Sequence, residues 1–125
     1  MIMKKRAYVA VVDDDESVRE SLPDLLWELG YEARGFVSAE EFLEADKARQ
    51  AECLVLDVAM PGMSGIDLQH ELSRRERKVP TVFITAHDIE VVPLRVREMG
   101  TVDCLLKPFT DTALLEAMQA ALNGK

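Results

Sequence analysis

The stretch Leu54-Val55-Leu56-Asp57-Val58-Ala59-Met60-Pro61-Gly62 joins a short apolar run to an acid and then to a Pro-Gly turn. A run this short, bounded by turn residues, is typical of a strand buried inside a parallel sheet. Four similar runs occur elsewhere, so the sequence predicts five strands: Tyr8 to Val12, Ala33 to Val37, Cys53 to Leu56, Val82 to Ile84 and Val102 to Leu106.

The segments between these runs predict five helices. In the first, apolar residues recur every three or four positions and share one helix face. Gly30 ends this helix and Pro23 lies inside it. Ser38 and Glu41 have the spacing of a capping box that opens the second helix. The others are Ile66 to Leu72, Val91 to Met99 with Gly100 as its stop, and a last helix with the apolar stripe Leu114, Leu115, Met118 and Leu122.

Strands and helices alternate along the chain, which predicts the α/β class with a parallel sheet covered by helices on both faces. Right-handed crossovers then favour a doubly wound five-stranded sheet. The chain has 125 residues, the size of one domain, and shows no internal repeat or linker-like segment. We therefore expect a single domain over residues 1–125.

The composition excludes several classes of protein. A net charge of −8, from 23 acids and 15 bases, would repel nucleic-acid phosphates, so we expect no direct DNA binding by this chain. No apolar run approaches the roughly 20 residues that a membrane span needs. The basic start Met1 to Arg6 lacks a signal-peptide pattern behind it, which predicts a cytoplasmic protein. Cys53 and Cys104 lie in apolar runs without metal-ligand spacing, so we expect buried, reduced thiols.

Polar and charged side chains stand where four of the five predicted strands end. In chain order these residues are Asp13 and Asp14, Asp57, Thr85 and Lys107. The carboxyl ends of parallel strands meet at one edge of the sheet, where doubly wound folds bind their ligands. We therefore expect a cluster of carboxylates, one hydroxyl and one ammonium group at that edge.

This set of groups predicts a metal-assisted phosphoryl site. Crowded carboxylates repel one another unless a cation lies among them, and oxygen ligands without His or Cys favour Mg²⁺. A carboxylate can also attack phosphorus to form an acyl phosphate, and a metal offsets the charge of the transferred group. Lys107 would contact a phosphoryl oxygen as a point charge. The Thr85 hydroxyl could donate to another oxygen, and the small Ala86 leaves room for the group. Asp15 is better explained as the N-cap of the first helix.

Four motifs, in this order along the chain, resemble those of a known family. They are Val12-Asp13-Asp14, Leu56-Asp57 with the tract Met60-Pro61-Gly62-Met63-Ser64-Gly65, Ile84-Thr85-Ala86, and Lys107-Pro108-Phe109. From Tyr8 to about Leu122 the chain resembles a CheY-like receiver domain of a two-component response regulator, and it is most similar to the FixJ-type branch. The resemblance implies a (βα)5 flavodoxin-like fold with strand order 2-1-3-4-5.

The resemblance also implies a role for each acid. Asp57 matches the phosphoacceptor, which takes up a phosphoryl group in a Mg²⁺-dependent reaction. Asp14 matches a direct Mg²⁺ ligand, and Asp13 matches an acid that usually binds the ion through water. The remaining protein ligands match Asp57 itself and the backbone carbonyl of Ala59.

The other matching positions concern the switch. Thr85 matches the hydroxyl that moves toward the phosphoryl group, and Lys107 matches the phosphate-binding lysine. His87, two residues after Thr85, and Ala59, two residues after Asp57, match positions that border the group and tune its lifetime in receivers. We hypothesise that His87 tunes dephosphorylation by shaping water access; a solvated loop histidine is the alternative. Cys104 stands where many receivers carry a Tyr or Phe that rotates inward. A coupling through backbone shifts near Thr85 and the fourth helix would replace that rotation.

The implied function is that of a phosphorylation-controlled switch. A sensor histidine kinase supplies the phosphoryl group, and the chain itself catalyses only this transfer and its own dephosphorylation, so it is not an enzyme acting on other substrates. Phosphorylation would promote a homodimer through the fourth helix, fifth strand and fifth helix, and so control transcription. FixJ-type proteins often carry a C-terminal LuxR-type DNA-binding domain, and Lys125 lies where such a domain would begin. The chain is then either an excised receiver or a stand-alone one.

Three alternatives remain open at this point. An aspartyl-phosphate phosphatase or mutase would need a second acid two residues after the nucleophile, where this chain has Ala59. A phosphorylation-independent interaction module would not need the complete set of strand-end residues. A flavin-binding relative would need a phosphate loop rich in Ser, Thr or Gly after the first strand, where this chain has acids.

Overall fold

The computed structural model describes residues 6–86 and 101–123. Its five strands form one parallel sheet in the order β2-β1-β3-β4-β5, so the predicted class and strand order are confirmed. The strands are β1 (Tyr8–Val12), β2 (Glu32–Phe36), β3 (Cys53–Asp57), β4 (Thr81–Thr85) and β5 (Thr101–Leu106).

Four α-helices are described, together with one 3₁₀ helix that the sequence did not predict. They are α1 (Glu16–Glu28), α2 (Ala39–Glu44), the 3₁₀ helix (Asp46–Gln50), α3 (Gly65–Arg74) and the C-terminal helix (Asp111–Asn123). The predicted fourth helix, Val91 to Met99, and His87 lie outside the described residues. No helix within residues 6–86 and 101–123 is long and apolar enough to cross a lipid bilayer.

Apolar side chains pack on both faces of the sheet. One cluster contains Phe36, Phe42 and Leu68, and the other contains Leu26 and Met118. Neighbouring residues of a central strand alternate between the two clusters, since side chains of a strand point to opposite faces. Every residue of β1, β3 and β4 is buried, which explains why these strands are mostly apolar, with polar residues only at the ends of β3 and β4.

The helix starts differ in part from the predicted capping. The carboxylate of Asp15 caps α1 by accepting from the Ser17 amide, as expected. Ser38 accepts from the Glu41 amide, but Glu41 accepts from Val37 rather than from Ser38. The predicted capping box is therefore only half formed, because the extended backbone before α2 brings the Val37 amide into reach instead.

Two other expectations are corrected. Strand β2 begins at Glu32 and ends at Phe36, one residue earlier than predicted, because its register aligns Phe36 with Val12 of β1. Cys53 is buried as expected, whereas Cys104 is only partly buried, because β5 lies at the edge of the sheet. Neither of these two described cysteines forms a disulfide.

Candidate functional site

The strand register brings the predicted site residues to one edge of the sheet. Asp57 is the last residue of β3 and Thr85 is the last residue of β4. Asp13 follows β1 directly, and Lys107 follows β5. The pairs Val12–Leu56, Asp57–Ile84 and Thr85–Leu106 place these ends at similar levels.

Three carboxylates form a tight cluster at this edge. Asp13, Asp14 and Asp57 each offer one oxygen, and these oxygens all lie within 4.8 Å of one another. Asp13 is fully buried and Asp57 is 7% exposed, whereas Asp14 faces solvent. Two of the three carboxylates are thus largely withdrawn from water, which disfavours their charged forms unless cations compensate.

The loop that carries Asp13 is held by backbone and side-chain contacts. The Asp13 amide donates to the Phe36 carbonyl at 3.1 Å, and Asp13 Oδ1 accepts from the Asp15 amide at 2.9 Å. Arg19 on α1 donates to the Asp13 carbonyl at 3.0 Å. A Cβ on Gly35 would lie 3.3 Å from Cβ of Arg19, so the glycine lets this arginine pack closely against β2. Arg19 was not identified from the sequence.

Lys107 brings a cation to the two buried acids. Its ammonium lies 2.9 Å from Asp13 Oδ2 and 3.8 Å from Asp57 Oδ1. Its own backbone amide donates to the Thr85 carbonyl at 2.8 Å, which fixes the start of the loop after β5. Burial of Lys107 disfavours its charge, but the hydrogen bond and charge of Asp13 outweigh this, and the pKa of Lys107 is raised.

The pKa of Asp57 shows that one ammonium group does not neutralise the cluster. Burial, followed by the charge of Asp13, raises the pKa of Asp57 from 3.8 to about 7, and Lys107 only partly opposes these effects. A second cation near these oxygens would relieve the repulsion. Carboxylate oxygens without nitrogen or sulfur donors suit Mg²⁺, so the residues present fit that ion.

The backbone behind Asp57 is tied directly to α3. The Gly65 amide donates to the Val58 carbonyl at 2.9 Å, and a Cβ on Gly65 would collide with the Asp57 carbonyl oxygen. Ser64 and Asp67 form a complete capping box at the start of α3. The spacing of Ser64 and Asp67 was visible in the sequence, but the close approach of Gly65 to Asp57 was not.

The remaining predicted site residues lie around this cluster. Thr85 is buried at the end of the strand beside Asp57, and Ala86 is exposed directly after it. Ala59 is exposed two residues after Asp57. Cys104 pairs with Phe83 of β4 and packs against the core cluster that contains this ring. The position at which many receivers carry a rotating aromatic residue is therefore filled here by the small side chain of Cys104, next to the buried ring of Phe83.

Comparison with known proteins agrees with this geometry. Residues 9–119 match the family model of the response regulator receiver domain. The chain is 47% identical over 118 residues to "Nodulation protein W" of Bradyrhizobium diazoefficiens, covering 93% of this chain and 51% of that protein. It is 39% identical over 114 residues to "Transcriptional regulatory protein FixJ" of Azorhizobium caulinodans, covering 91% and 54% respectively.

A solved structure agrees in fold and extent. The structure titled "Crystal structure of FixJ-N" superposes with a TM-score of 0.84 at 33% identity, covering 98% of each chain. The chain spans about half the length of the curated relatives it matches. Since the family model accounts for nearly all of the described residues, the chain belongs to the family of response regulator receiver domains, as its four motifs predicted.

Proposed function

We propose that this receiver domain accepts a phosphoryl group on Asp57 and acts as a switch in two-component signalling. The observation that carries the proposal is the position of the Asp57 carboxylate, which lies at the end of β3 among Asp13, Asp14 and the Lys107 ammonium. Receiver domains are in general regulatory switches rather than enzymes that turn over a substrate.

Asp57 is the nucleophile. One of its carboxylate oxygens forms a bond to phosphorus while the bond from phosphorus to the donor's leaving group breaks, which gives an acyl phosphate. The reaction needs the ionised carboxylate, and burial with Asp13 raises the pKa of Asp57 to about 7. Cations close to this oxygen lower that pKa again and keep the nucleophile charged near neutral pH.

The chain's own groups would hold both the metal and the incoming group. Asp14, Asp57 and the Ala59 carbonyl would bind Mg²⁺ directly, with Asp13 acting through water, and the bound ion would offset charge on the transferred group. Lys107 would leave part of its contact with Asp13 to hold a phosphoryl oxygen. Thr85 would donate its hydroxyl to another oxygen, and Ala86 would leave space for the group. His87 and Cys104 would modulate the lifetime of the acyl phosphate and its coupling to the switch.

Turnover on small substrates is disfavoured by the residue at position 59. Aspartyl-phosphate phosphatases and mutases use a second acid two residues after the nucleophile to protonate the leaving group, and Ala59 offers no proton. The fully buried Asp13 and the Asp13–Lys107 pair also argue against a module that has lost its chemistry, because burying such charges without a use is costly.

The partners follow from the same proposal. A sensor histidine kinase supplies the phosphoryl group to this receiver in the cytoplasm. The switch then controls transcription, either through a tethered DNA-binding domain or through the surface of the predicted fourth helix, β5 and the C-terminal helix. The name of the FixJ relative supports a transcriptional output, and the chain itself, with a net charge of −8, would not bind DNA directly. Phosphorylation would favour a homodimer through the predicted fourth helix, β5 and the C-terminal helix.

Incubation with Mg²⁺ and acetyl phosphate is expected to add one phosphoryl group, because the small donor can reach Asp57 without a kinase. Intact-mass spectrometry measures the gain, and it should disappear when Mg²⁺ is omitted or Asp57→Asn is used. A folded protein that gains no phosphoryl group under these conditions would contradict the phosphoacceptor role and favour an interaction module without phosphorylation.

A further inference from the structure

The loop between β3 and α3, residues 58–64, is held from two directions. At its end, the Ser64 capping box and the bond from Gly65 to Val58 tie it to its own strand and helix. At its tip, the Met63 amide donates to Glu40 Oε2 at 3.2 Å, and Glu40 belongs to α2. This contact comes from an element 23 residues earlier in the chain.

The shape of the loop tip matches the position of this carboxylate. Gly62 has a φ of +73°, which side-chain-bearing residues rarely adopt, and a Cβ there would lie 3.1 Å from the same Glu40 oxygen. The missing side chain therefore lets Glu40 approach the backbone of the tip. Gly62 in this conformation, next to the donor amide of Met63, forms a binding position for the Glu40 carboxylate.

Glu40 is itself held in place by its helix. Its neighbours Ala39 and Phe42 are fully buried in the core, and Ser38 caps the helix by accepting from the Glu41 amide. The Glu41 carboxylate is occupied with the Val37 amide at 2.7 Å. Glu40 is thus the acid in the first turn of α2 that reaches the β3–α3 loop, from a helix anchored in the core.

We propose that Glu40 is a positioning residue for the metal site. The loop it holds carries Ala59, whose carbonyl is a Mg²⁺ ligand under the proposed function, on which this inference rests. If the loop adopts its binding conformation for only a fraction of the time, the apparent affinity for the ion is reduced by that fraction. Glu40 raises that affinity by keeping the loop tip attached to α2, although it does not touch the ion.

Three variants separate the hydrogen bond from the charge. Glu40→Ala removes the acceptor, Glu40→Gln keeps an acceptor oxygen at the same reach, and Glu44→Ala removes an equal charge from an exposed position on the same helix. In metal-free protein, amide hydrogen exchange at Met63 reports the contact directly. Calorimetric titration with MgCl₂ then gives the dissociation constant of each variant, and phosphoryl uptake at saturating Mg²⁺ is measured alongside.

We expect Glu40→Ala to speed exchange at Met63 and to weaken Mg²⁺ binding by roughly tenfold, the size seen for residues that support metal ligands. Glu40→Gln should stay close to the parent protein, as should Glu44→Ala, and phosphoryl uptake at saturating Mg²⁺ should be the same in all four proteins. Equal dissociation constants for Glu40→Ala and Glu44→Ala, with a parent that binds Mg²⁺, would overturn the role of Glu40 alone. A parent that binds no Mg²⁺ would overturn the proposed function and, with it, this inference.

Discussion

Asp57→Asn is expected to stabilise the metal-free protein by about 2 to 4 kcal/mol at pH 8. In the parent, folding places the Asp57 carboxylate in a buried position beside Asp13, and this raises its pKa from 3.8 to about 7, so that its ionised form at pH 8 costs stability. An asparagine amide is neutral, is close in shape, and can donate to the Asp13 carboxylate. The substitution therefore removes a repulsion without leaving a cavity.

The stability advantage of Asp57→Asn over the parent should depend on pH. Because the folded state holds the Asp57 proton more tightly than the unfolded state, the parent loses stability as the pH rises from about 4 to about 7. The variant lacks this loss, so the advantage of Asp57→Asn should be small near pH 4, grow through this window and level off above it. Urea denaturation in the presence of a chelator measures both proteins across the range.

Asp24→Asn is the matched control, because Asp24 is an exposed acid on α1 and its loss changes the net charge equally. Added Mg²⁺ should narrow the gap between the parent and Asp57→Asn, since the ion binds only the folded, ionised cluster. If the gain in stability of Asp57→Asn over the parent equals that of Asp24→Asn, or does not change with pH, then the ionised Asp57 carboxylate does not destabilise the folded protein.

Lys107→Met is expected to have the opposite effect and to destabilise the metal-free protein by about 3 kcal/mol at neutral pH. The ammonium lies 2.9 Å from a carboxylate oxygen of Asp13, whose side chain is 0% exposed. Methionine preserves most of the apolar stem but leaves two buried acids facing each other without a protein cation. Removal of one partner of a buried ion pair is costly for this reason.

Lys78→Met, at an exposed position after α3, controls for the loss of one positive charge. Equilibrium denaturation at neutral pH should show a loss of stability for Lys107→Met only. The loss should shrink at acidic pH, where Asp57, with its pKa raised to about 7, becomes protonated. Mg²⁺ should also restore part of the stability, because it supplies the missing cation. Equal stabilities for the two variants would mean that Lys107 does not neutralise the cluster.

The site edge could be predicted from the sequence because it follows from topology. Strand ends are marked by short apolar runs, and in a parallel sheet their carboxyl ends must meet, so Asp13, Asp57, Thr85 and Lys107 converge whatever the details of packing. The resemblance added the strand order, which the structure confirms. The exact end of β2 was wrong by one residue because register depends on the partner strand, which periodicity does not reveal.

The supporting contacts could not be predicted because they join distant segments through side-chain geometry. Lys107 was expected to contact a phosphoryl oxygen, and in this structure its ammonium lies against Asp13. Arg19 reaches the Asp13 carbonyl across a helix turn and a loop, and Glu40 reaches Met63 from another helix. Only the folded backbone shows which of the 23 acids lie near which amides.

The identity of the phosphorylated residue is the measurement that tests the central claim most directly. Brief treatment with acetyl phosphate and Mg²⁺, followed by borohydride reduction, converts an aspartyl phosphate to homoserine, and peptide mass spectrometry locates the converted residue. We expect conversion at Asp57 alone, and none when Mg²⁺ is absent. Conversion at Asp13 or Asp14, or a phosphoryl group found on a hydroxyl side chain instead, would contradict the assignment of Asp57 as the acceptor.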